Sequence, residues 1–427
     1  MNVSRPFLYE EAELHCDGLK LAALAEQFGT PLYVYSGRQI VERAALFQAA
    51  FAGRPHTVCY AVKANSALAI LRLLGDQGCG FDIVSGGELA RVIAACGEQV
   101  AKRVVFSGVG KTPAEMDAAL QADILLFNVE SESELELLAN RAALIGKRAR
   151  VALRVNPDVS AETHPYISTG LSAHKFGIGI QQARAVYARA ASLPSLDVAG
   201  VSVHIGSQIR QVEPFAEALS RTLSLVRNLL ADGHNIRYVD AGGGLGIEYT
   251  GTEFDAPAQV TQYSDALQSA LADDANRDLR IHLLLEPGRF LVGQAGALLT
   301  RVVYRKRNGD KQFVIVDAGM NDLIRPTLYQ AHHEIVPVVQ RPDVGNEEVD
   351  VVGPVCESGD FFARGRNLPE TAEGDLLAIL DAGAYGLSLS SNYNTRLRPA
   401  EVLIEKTGAR LIRRRETYSE LFAPEIP

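Results

Sequence analysis

Between about residue 57 and residue 285 the chain repeats one unit, a short apolar run followed by a longer segment of helical periodicity. The runs are Val58–Ala64, Phe81–Val84, Val104–Val109, Ile124–Val129, Val151–Val155, Val198–Ile205, Tyr238–Ala241 and Ile281–Leu285. They are near-continuous in hydrophobicity, the pattern of strands buried on both faces. Glu88–Cys96, Glu132–Leu144, Gln181–Leu193 and Phe215–Asp232 are helix-like segments between them. Eight strand–helix units over roughly 250 residues predict an α/β fold built on a (β/α)8 TIM barrel. A doubly wound open sheet is the alternative, and counting alone leaves it open.

After Arg289 the pattern changes to short β-like runs separated by turns: Ala297–Tyr304, Gln312–Val316, Ile335–Val339, Glu348–Val352, Asp375–Leu380 and Glu401–Glu405. These predict a C-terminal β-sandwich or β-barrel domain. An early strand, Leu32–Tyr35, is a candidate to pair with it. The expected layout is an N-terminal segment, 1–35, contributing to the β domain; the barrel, 36–291; and the β domain, 292–427. A chain of 427 residues is too long for one core of ordinary size, which agrees with that division.

Composition excludes several function classes. The net charge of -9 argues against nucleic acid or an anionic membrane as partner, and Arg413-Arg414-Arg415 reads as a solvated edge. No apolar stretch reaches the roughly 18 residues that span a bilayer, and no basic segment precedes an apolar block at the N-terminus. The five cysteines, Cys16, Cys59, Cys79, Cys96 and Cys356, are dispersed and odd in number. They suit a reducing cytoplasm and supply no zinc cluster; no metal is expected. Two phosphate motifs fail. Gly110-Lys111-Thr112 has Val105 where a P-loop needs its first glycine, and Gly242–Gly246 does not match G-x-G-x-x-G.

Active groups of such barrels belong at the carboxyl ends of the strands. Strand one runs into Lys63, where burial would favour the neutral amine that Schiff-base chemistry requires. A lysine that merely snorkels past the strand end is the alternative. Strand six runs into His204 and Ser207, suited to an aromatic ring and a phosphate, although a lone histidine here also reads as core. Strand seven runs into Gly242, Gly243 and Gly244, whose backbone N–H groups suit a phosphate or simply make a tight turn. Strand eight runs into Glu286, Gly288 and Arg289. A carboxylate there can keep a pyridinium nitrogen protonated, and an arginine can grip a phosphate or carboxylate. An ion pair between Glu286 and Arg289 is the bland reading. Taken together, lysine, histidine, glycines and acid fit one ligand, pyridoxal phosphate.

At this point whole stretches become recognisable: Tyr60–Asn65 (YAVKAN), Phe81–Leu89 (FDIVSGGEL), His164–Gly170 (HPYISTG), Lys175–Ile178 (KFGI) and His204–Gln208 (HIGSQ). They continue with Gly242–Gly246, Glu286–Arg289, Gly353–Asp360 (GPVCESGD), Asp381–Tyr385 (DAGAY), and Ser391–Asn394 running on to Arg398–Glu401. Over nearly its whole length the chain resembles the fold-type III pyridoxal-phosphate-dependent decarboxylases, whose barrel is like that of alanine racemase.

The resemblance implies roles. Lys63 forms the internal aldimine with pyridoxal 5'-phosphate, His204 stacks on the ring and Glu286 pairs with its nitrogen. Ser207, Gly242, Gly243, Gly244, Gly288, Arg289 and Tyr385 bind the cofactor. Arg289, Arg325, Tyr329, Glu357 and Tyr385 bind an amino-acid substrate, and Cys356 donates a proton. It implies a homodimer in which Cys356 and Glu357 reach the neighbouring subunit's site. The implied reaction is decarboxylation of meso-2,6-diaminopimelate to L-lysine through an external aldimine and a quinonoid, the last step of lysine biosynthesis. Arg325 carries the distinction from lysine or ornithine, because neither has a distal carboxylate for it to meet. A decarboxylase of another basic or D-amino acid, a racemase, and a non-catalytic cofactor-binding or regulatory protein are the competing readings. An inert buried thiol is the alternative for Cys356, and its polar neighbours argue against it.

Overall fold

The computed structural model describes residues 5–159, 175–251 and 254–426. The chain divides into two compact units. One comprises Arg43–Gly246 with Asp255–Gly288, the other Asn2–Glu42 with Ile247–Phe254 and Arg289–Pro427. The motif His164–Gly170 lies outside the described residues.

The first unit is a closed barrel of eight parallel strands: β1 (His56–Ala61), β2 (Gly80–Ile83), β3 (Val104–Phe106), β4 (Leu126–Val129), β5 (Ala149–Asn156), β6 (Leu196–Val203), β7 (Tyr238–Asp240) and β8 (His282–Leu285). Each pairs with the next, and Leu283 of β8 pairs with His56 of β1, which closes the ring and removes both sheet edges. The open-sheet alternative is thereby excluded. Cys59, Val105, Leu126, Ala152, Ala199 and Leu284 form one fully buried cluster contributed by strands all round the barrel.

The helices follow from spacing and caps. Glu213–Ala231 buries Phe215, Leu219, Thr222, Val226 and Leu229, three to four residues apart along one face. Ser85 and Ser131 accept the Glu88 and Glu134 backbone N–H groups at two helix starts, and Thr112 makes a capping box with Glu115 at a third. That third helix, Pro113–Gln121, explains Gly110-Lys111-Thr112. The Lys111 ammonium is buried, bonded to the Gly108 and Asn128 carbonyls at 2.8 and 2.7 Å and to Glu134 at 2.7 Å. It ties a turn to a strand end and has no free donor for a ligand.

The second unit is built on a sheet in which the long strand Gly296–Asn308 is central. Leu32–Ser36 pairs antiparallel with it, Leu298 opposite Tyr33, so the early strand does join this sheet. Lys311–Val316, Asn346–Val352, Phe361–Pro369, Ala400–Glu405 and Gly408–Arg413 extend the sheet, and Leu376–Ile379 adds a further pairing. A smaller antiparallel sheet of Phe7–Glu10, Glu13–Cys16 and Leu19–Lys20 packs with helix Leu21–Phe28, and their Phe7, Leu14, Leu21 and Leu24 join the core of Leu32, Val34, Ala297 and Val402. No helix of the described residues is long and apolar enough to cross a membrane.

Candidate active site

In the barrel unit, the expected residues lie just beyond the carboxyl ends of their strands. Lys63 is not on β1 itself: the strand ends at Ala61 and Val62–Ala64 forms one 3-10 turn. The turn leaves the amine partly in solvent, with its side chain 36% exposed, against a fully buried Asp82 at the end of β2, 2.7 Å away. The expectation of a lysine kept neutral by burial is therefore corrected. Lys63 is held by an ion pair at an open position. Asp82 Oδ1 is buried and meets no donor.

Asp82 belongs to a group of three buried carboxyls with Asp240, at the end of β7, and Glu286, just past β8. Asp240 accepts from Asn128 Nδ2 at 2.7 Å and from the Gly242 N–H at 2.9 Å. The Ser107 hydroxyl reaches Glu286 at 3.4 Å, and Glu286 shares a side-chain hydrogen bond with Asp240. Burial first, then the charges of Asp240 and Asp82, push the Glu286 carboxyl well above the usual range, while Lys63 opposes them. The pocket floor thus favours an incoming cation.

His204, just past β6, is neutral. Burial of its ring, with the positive charges of Arg154 and Lys63 adding to it, pulls it well below its ordinary range. Its Nδ1 accepts the Gly243 N–H at 3.1 Å, which puts the remaining proton on Nε2. Arg154 is itself anchored by Glu130 at 3.0 Å and lies 4.8 Å from the Phe176 ring centroid, within the Lys175–Ile178 stretch.

The glycine run has a structural cause. A Cβ on Gly242 (φ +71) would fall 2.3 Å from the Val203 carbonyl, and one on Gly243 2.0 Å from the Glu286 carbonyl. The Glu286 N–H donates to the Gly242 carbonyl at 2.7 Å. The Ser207 loop is laced to the same run by Ile209 N–H to Gly244 O at 3.0 Å and Gly246 N–H to Ile209 O at 2.8 Å. The tight-turn reading therefore holds, and the turn also sets Glu286, His204 and Ser207 around one strand-end cluster. Gly288 lies across from Ala61, where an added Cβ would come within 3.0 Å of the alanine's own.

The second unit carries a separate cluster. Arg289 opens a single helical turn, Arg289–Val292, and its buried guanidinium donates to Tyr249 Oη at 2.7 Å and lies 4.8 Å from the Tyr385 ring centroid. Arg325 opens helix Arg325–Tyr329 and donates to His333 Nε2 at 2.7 Å, with its guanidinium 4.5 Å from the Tyr249 ring. The buried Arg325 Nε–H has no acceptor. His333 Nδ1 is bonded to the Leu380 carbonyl at 2.8 Å, and burial and Arg325 hold it well below its ordinary range, so it is a neutral acceptor. Tyr329 ends the Arg325 helix. Tyr385 sits at φ +57, a conformation uncommon for an aromatic residue, in a turn where a Cβ on Gly383 would meet the Val292 carbonyl at 1.9 Å.

Cys356 and Glu357 are exposed at the tip of a loop wrapped round buried Asp360, which accepts the Met320 and Val355 N–H groups at 2.6 Å each. The Cys356 N–H donates to Asn394 Oδ1 at 2.7 Å, which gives the Ser391–Asn394 motif a bracing role. The inert buried thiol is excluded. Among the described residues no hydrogen bond or ion pair joins Cys356 or Glu357 to Arg289 or Arg325. Asp82, Asp240, Asn128, Tyr249 and His333 were not singled out from sequence. Asp82 sits inside the quoted motif Phe81–Leu89 and Asp240 inside the strand run Tyr238–Ala241, so these two were within reach.

Known proteins match this arrangement. Residues 37–293 match the family model described as "Pyridoxal-dependent decarboxylase, pyridoxal binding domain". A diaminopimelate decarboxylase of Pseudomonas aeruginosa is 53% identical over 419 residues, 98% of each chain. One of Vibrio cholerae is 50% identical over 97% of each. The crystal structure of diaminopimelate decarboxylase from Helicobacter pylori complexed with L-lysine aligns at TM-score 0.88 and 40% identity, covering 95% of this chain and 98% of that one. The enzyme from M. jannaschii in co-complex with L-lysine aligns at TM-score 0.93 and 40% identity, covering 100% and 99%. Barrel, strand-end lysine and near full-length identity agree: the chain belongs to the diaminopimelate decarboxylases, within the family of pyridoxal-dependent decarboxylases.

Proposed function

We propose that the chain is a pyridoxal-phosphate-dependent carboxy-lyase that converts meso-2,6-diaminopimelate to L-lysine and CO2, the last step of lysine biosynthesis. When bound, pyridoxal phosphate supplies a ring that takes up the electron pair left by the departing carboxylate. The barrel end suits that group. The Lys63 amine is accessible for covalent attachment, and the carboxyl group of Asp82, Asp240 and Glu286 would be balanced by a cationic ring nitrogen set against Glu286. Neutral His204 offers an uncharged ring for stacking. Ser207 and the Gly242, Gly243 and Gly244 run offer short donors to the phosphate, with Gly288, Arg289 and Tyr385 assigned to the cofactor as well.

Substrate recognition is assigned to Arg289, Arg325, Tyr329, Tyr385 and Glu357. The observation that carries the substrate assignment is Arg325: a buried cation with an Nε–H that meets no acceptor, beside a histidine held neutral. Such a group suits a carboxylate at the far end of the substrate, which diaminopimelate has and lysine and ornithine lack. Glu357 suits the far ammonium. Cys356 Sγ gives a proton to the carbon that has lost its carboxylate. Cys356 and Glu357 act at the neighbouring subunit's site, making the enzyme a homodimer with two shared sites. The five unpaired cysteines fit work in the cytoplasm.

Product analysis tests the reading. Incubation with meso-diaminopimelate should yield L-lysine and CO2 in equal amounts, with lysine and ornithine left unchanged. Diamine formation from lysine or ornithine, with diaminopimelate inert, would overturn it.

A further inference from the structure

The active-site residues cluster beyond the carboxyl ends of the barrel strands. The opposite end carries a second concentration of charge. A recess of about 510 Å³ there is lined by Arg54, Arg237, Tyr238, Arg277, Arg280 and His282, among others. Tyr238 and His282 are the first residues of β7 and β8, whose far ends lead into Gly242 and Glu286. At roughly 3.3 Å of rise per residue, His282 stands about 13 Å along the strand from Glu286. The recess is therefore a separate place on the same barrel.

Its charge is unbalanced. Arg237 pairs with Asp197 at 2.6 Å, and Arg277 pairs with Asp274. Among the described residues, Arg54 and Arg280 form no ion pair. Four guanidinium groups thus face the recess against the carboxylates of Asp197, Asp274 and the exposed Asp278, on a chain whose net charge is -9. The Arg54 Nε–H is buried and meets no acceptor. A buried donor left unmade is costly unless something completes it. His282 adds no charge: burial and His56 pull it below its ordinary range, and its Nε2 is 2.8 Å from the Thr57 hydroxyl. Its ring meets Tyr238 edge-on at 5.7 Å, giving the recess an aromatic wall.

We propose that this amino-terminal mouth of the barrel binds a small dianion bearing a phosphate group. Guanidinium forks from separate segments match the oxygens of a phosphate. The volume is that of a small-molecule site.

The test uses enzyme saturated with pyridoxal phosphate, so that the cofactor's own phosphate site is filled. Inorganic phosphate is titrated by calorimetry at constant ionic strength, with succinate in a parallel arm. Saturable binding at one site per chain is expected, weakened about ten- to a hundredfold in Arg54→Gln/Arg280→Gln, the order of a lost charge-assisted hydrogen bond. CO2 release in the absence of phosphate should be unchanged in that variant. The single Arg280→Gln variant alters an exposed side chain with no ion pair, so it serves if the double variant fails to fold. Absence of saturable binding, equal affinity in the variants, or succinate binding as tightly as phosphate would overturn the proposal.

Discussion

The barrel end and the arginine cluster of the β unit solve opposite electrostatic problems. At the barrel end, Asp82, Asp240 and Glu286 are buried around one ammonium, Lys63, and negative charge is in excess. In the β unit, Arg289 and Arg325 are buried among Tyr249, Tyr385 and His333, and the Arg325 Nε–H meets no acceptor. On the proposed function, each region meets a ligand of the opposite sign: a cationic ring in the first, an anionic substrate end in the second. The comparison teaches that buried charge without a local counter-ion points to what the missing partner must be.

That contrast is open to direct attack. Lys63→Ala should abolish covalent cofactor attachment and turnover together, and borohydride reduction of the wild type followed by peptide mapping should mark Lys63. A mark on another lysine would remove the barrel end from the account. Next in size is a test of sharing between subunits. Lys63→Ala and Cys356→Ala are each expected to be inactive, yet a verified heterodimer of the two should recover up to about half the wild-type activity, because one of its two sites is complete. Heterodimers as inactive as both parents would place Cys356 at its own chain's site or outside catalysis.

A smaller effect belongs to His333. Its folded form resists protonation below the ordinary value of about 6.5, whereas the unfolded chain takes the proton there. Protons bound by the unfolded state exceed those bound by the folded state, so this contribution to stability is present above pH 6.5 and falls as pH drops, by up to about 1.4 kcal/mol per pH unit. His333→Gln keeps an acceptor for Arg325 and does not titrate. The stability advantage of wild type over that variant should shrink between pH 6.5 and 5. A constant difference across that range would show that His333 takes up its proton in the fold.

The two regions also differ in how far sequence alone reaches them. Barrel strands announce themselves as continuous apolar runs, and residues at the carboxyl end of each run are site candidates; Lys63 and His204 within the ends of their runs, and Gly242 and Glu286 just past theirs, were picked out that way. The detail that Lys63 rides a 3-10 turn was not, because Val62 continues the apolar run without a break. In the β unit the important side chains sit on single helical turns and a positive-φ turn, at Arg289, Arg325 and Tyr385, with no periodicity to flag them. Arg289 was reached from the end of strand eight, family resemblance alone picked out Arg325 and Tyr385, and neither route reached His333 or Tyr249. Strand Phe361–Pro369 escaped for a related reason: its FFARGRNLP sequence mixes arginine, glycine and proline, and its ladder with Asn346–Val352 shifts register between Val349 and Val352. The N-terminal sheet is made of strands of four, four and two residues, too short to show alternation.

The division of labour between the two regions is tested most directly by one variant and two readouts. Arg325→Gln removes one of the two buried guanidinium groups, Arg289 and Arg325, of the β unit and alters no residue of the barrel end. The account predicts that KM for diaminopimelate rises about ten- to a hundredfold, the loss of a charge-assisted pair worth roughly 1.5–3 kcal/mol, while pyridoxal-phosphate affinity measured by absorbance titration stays at the wild-type value. Cofactor affinity falling in step with substrate affinity, or KM left unchanged, would contradict it.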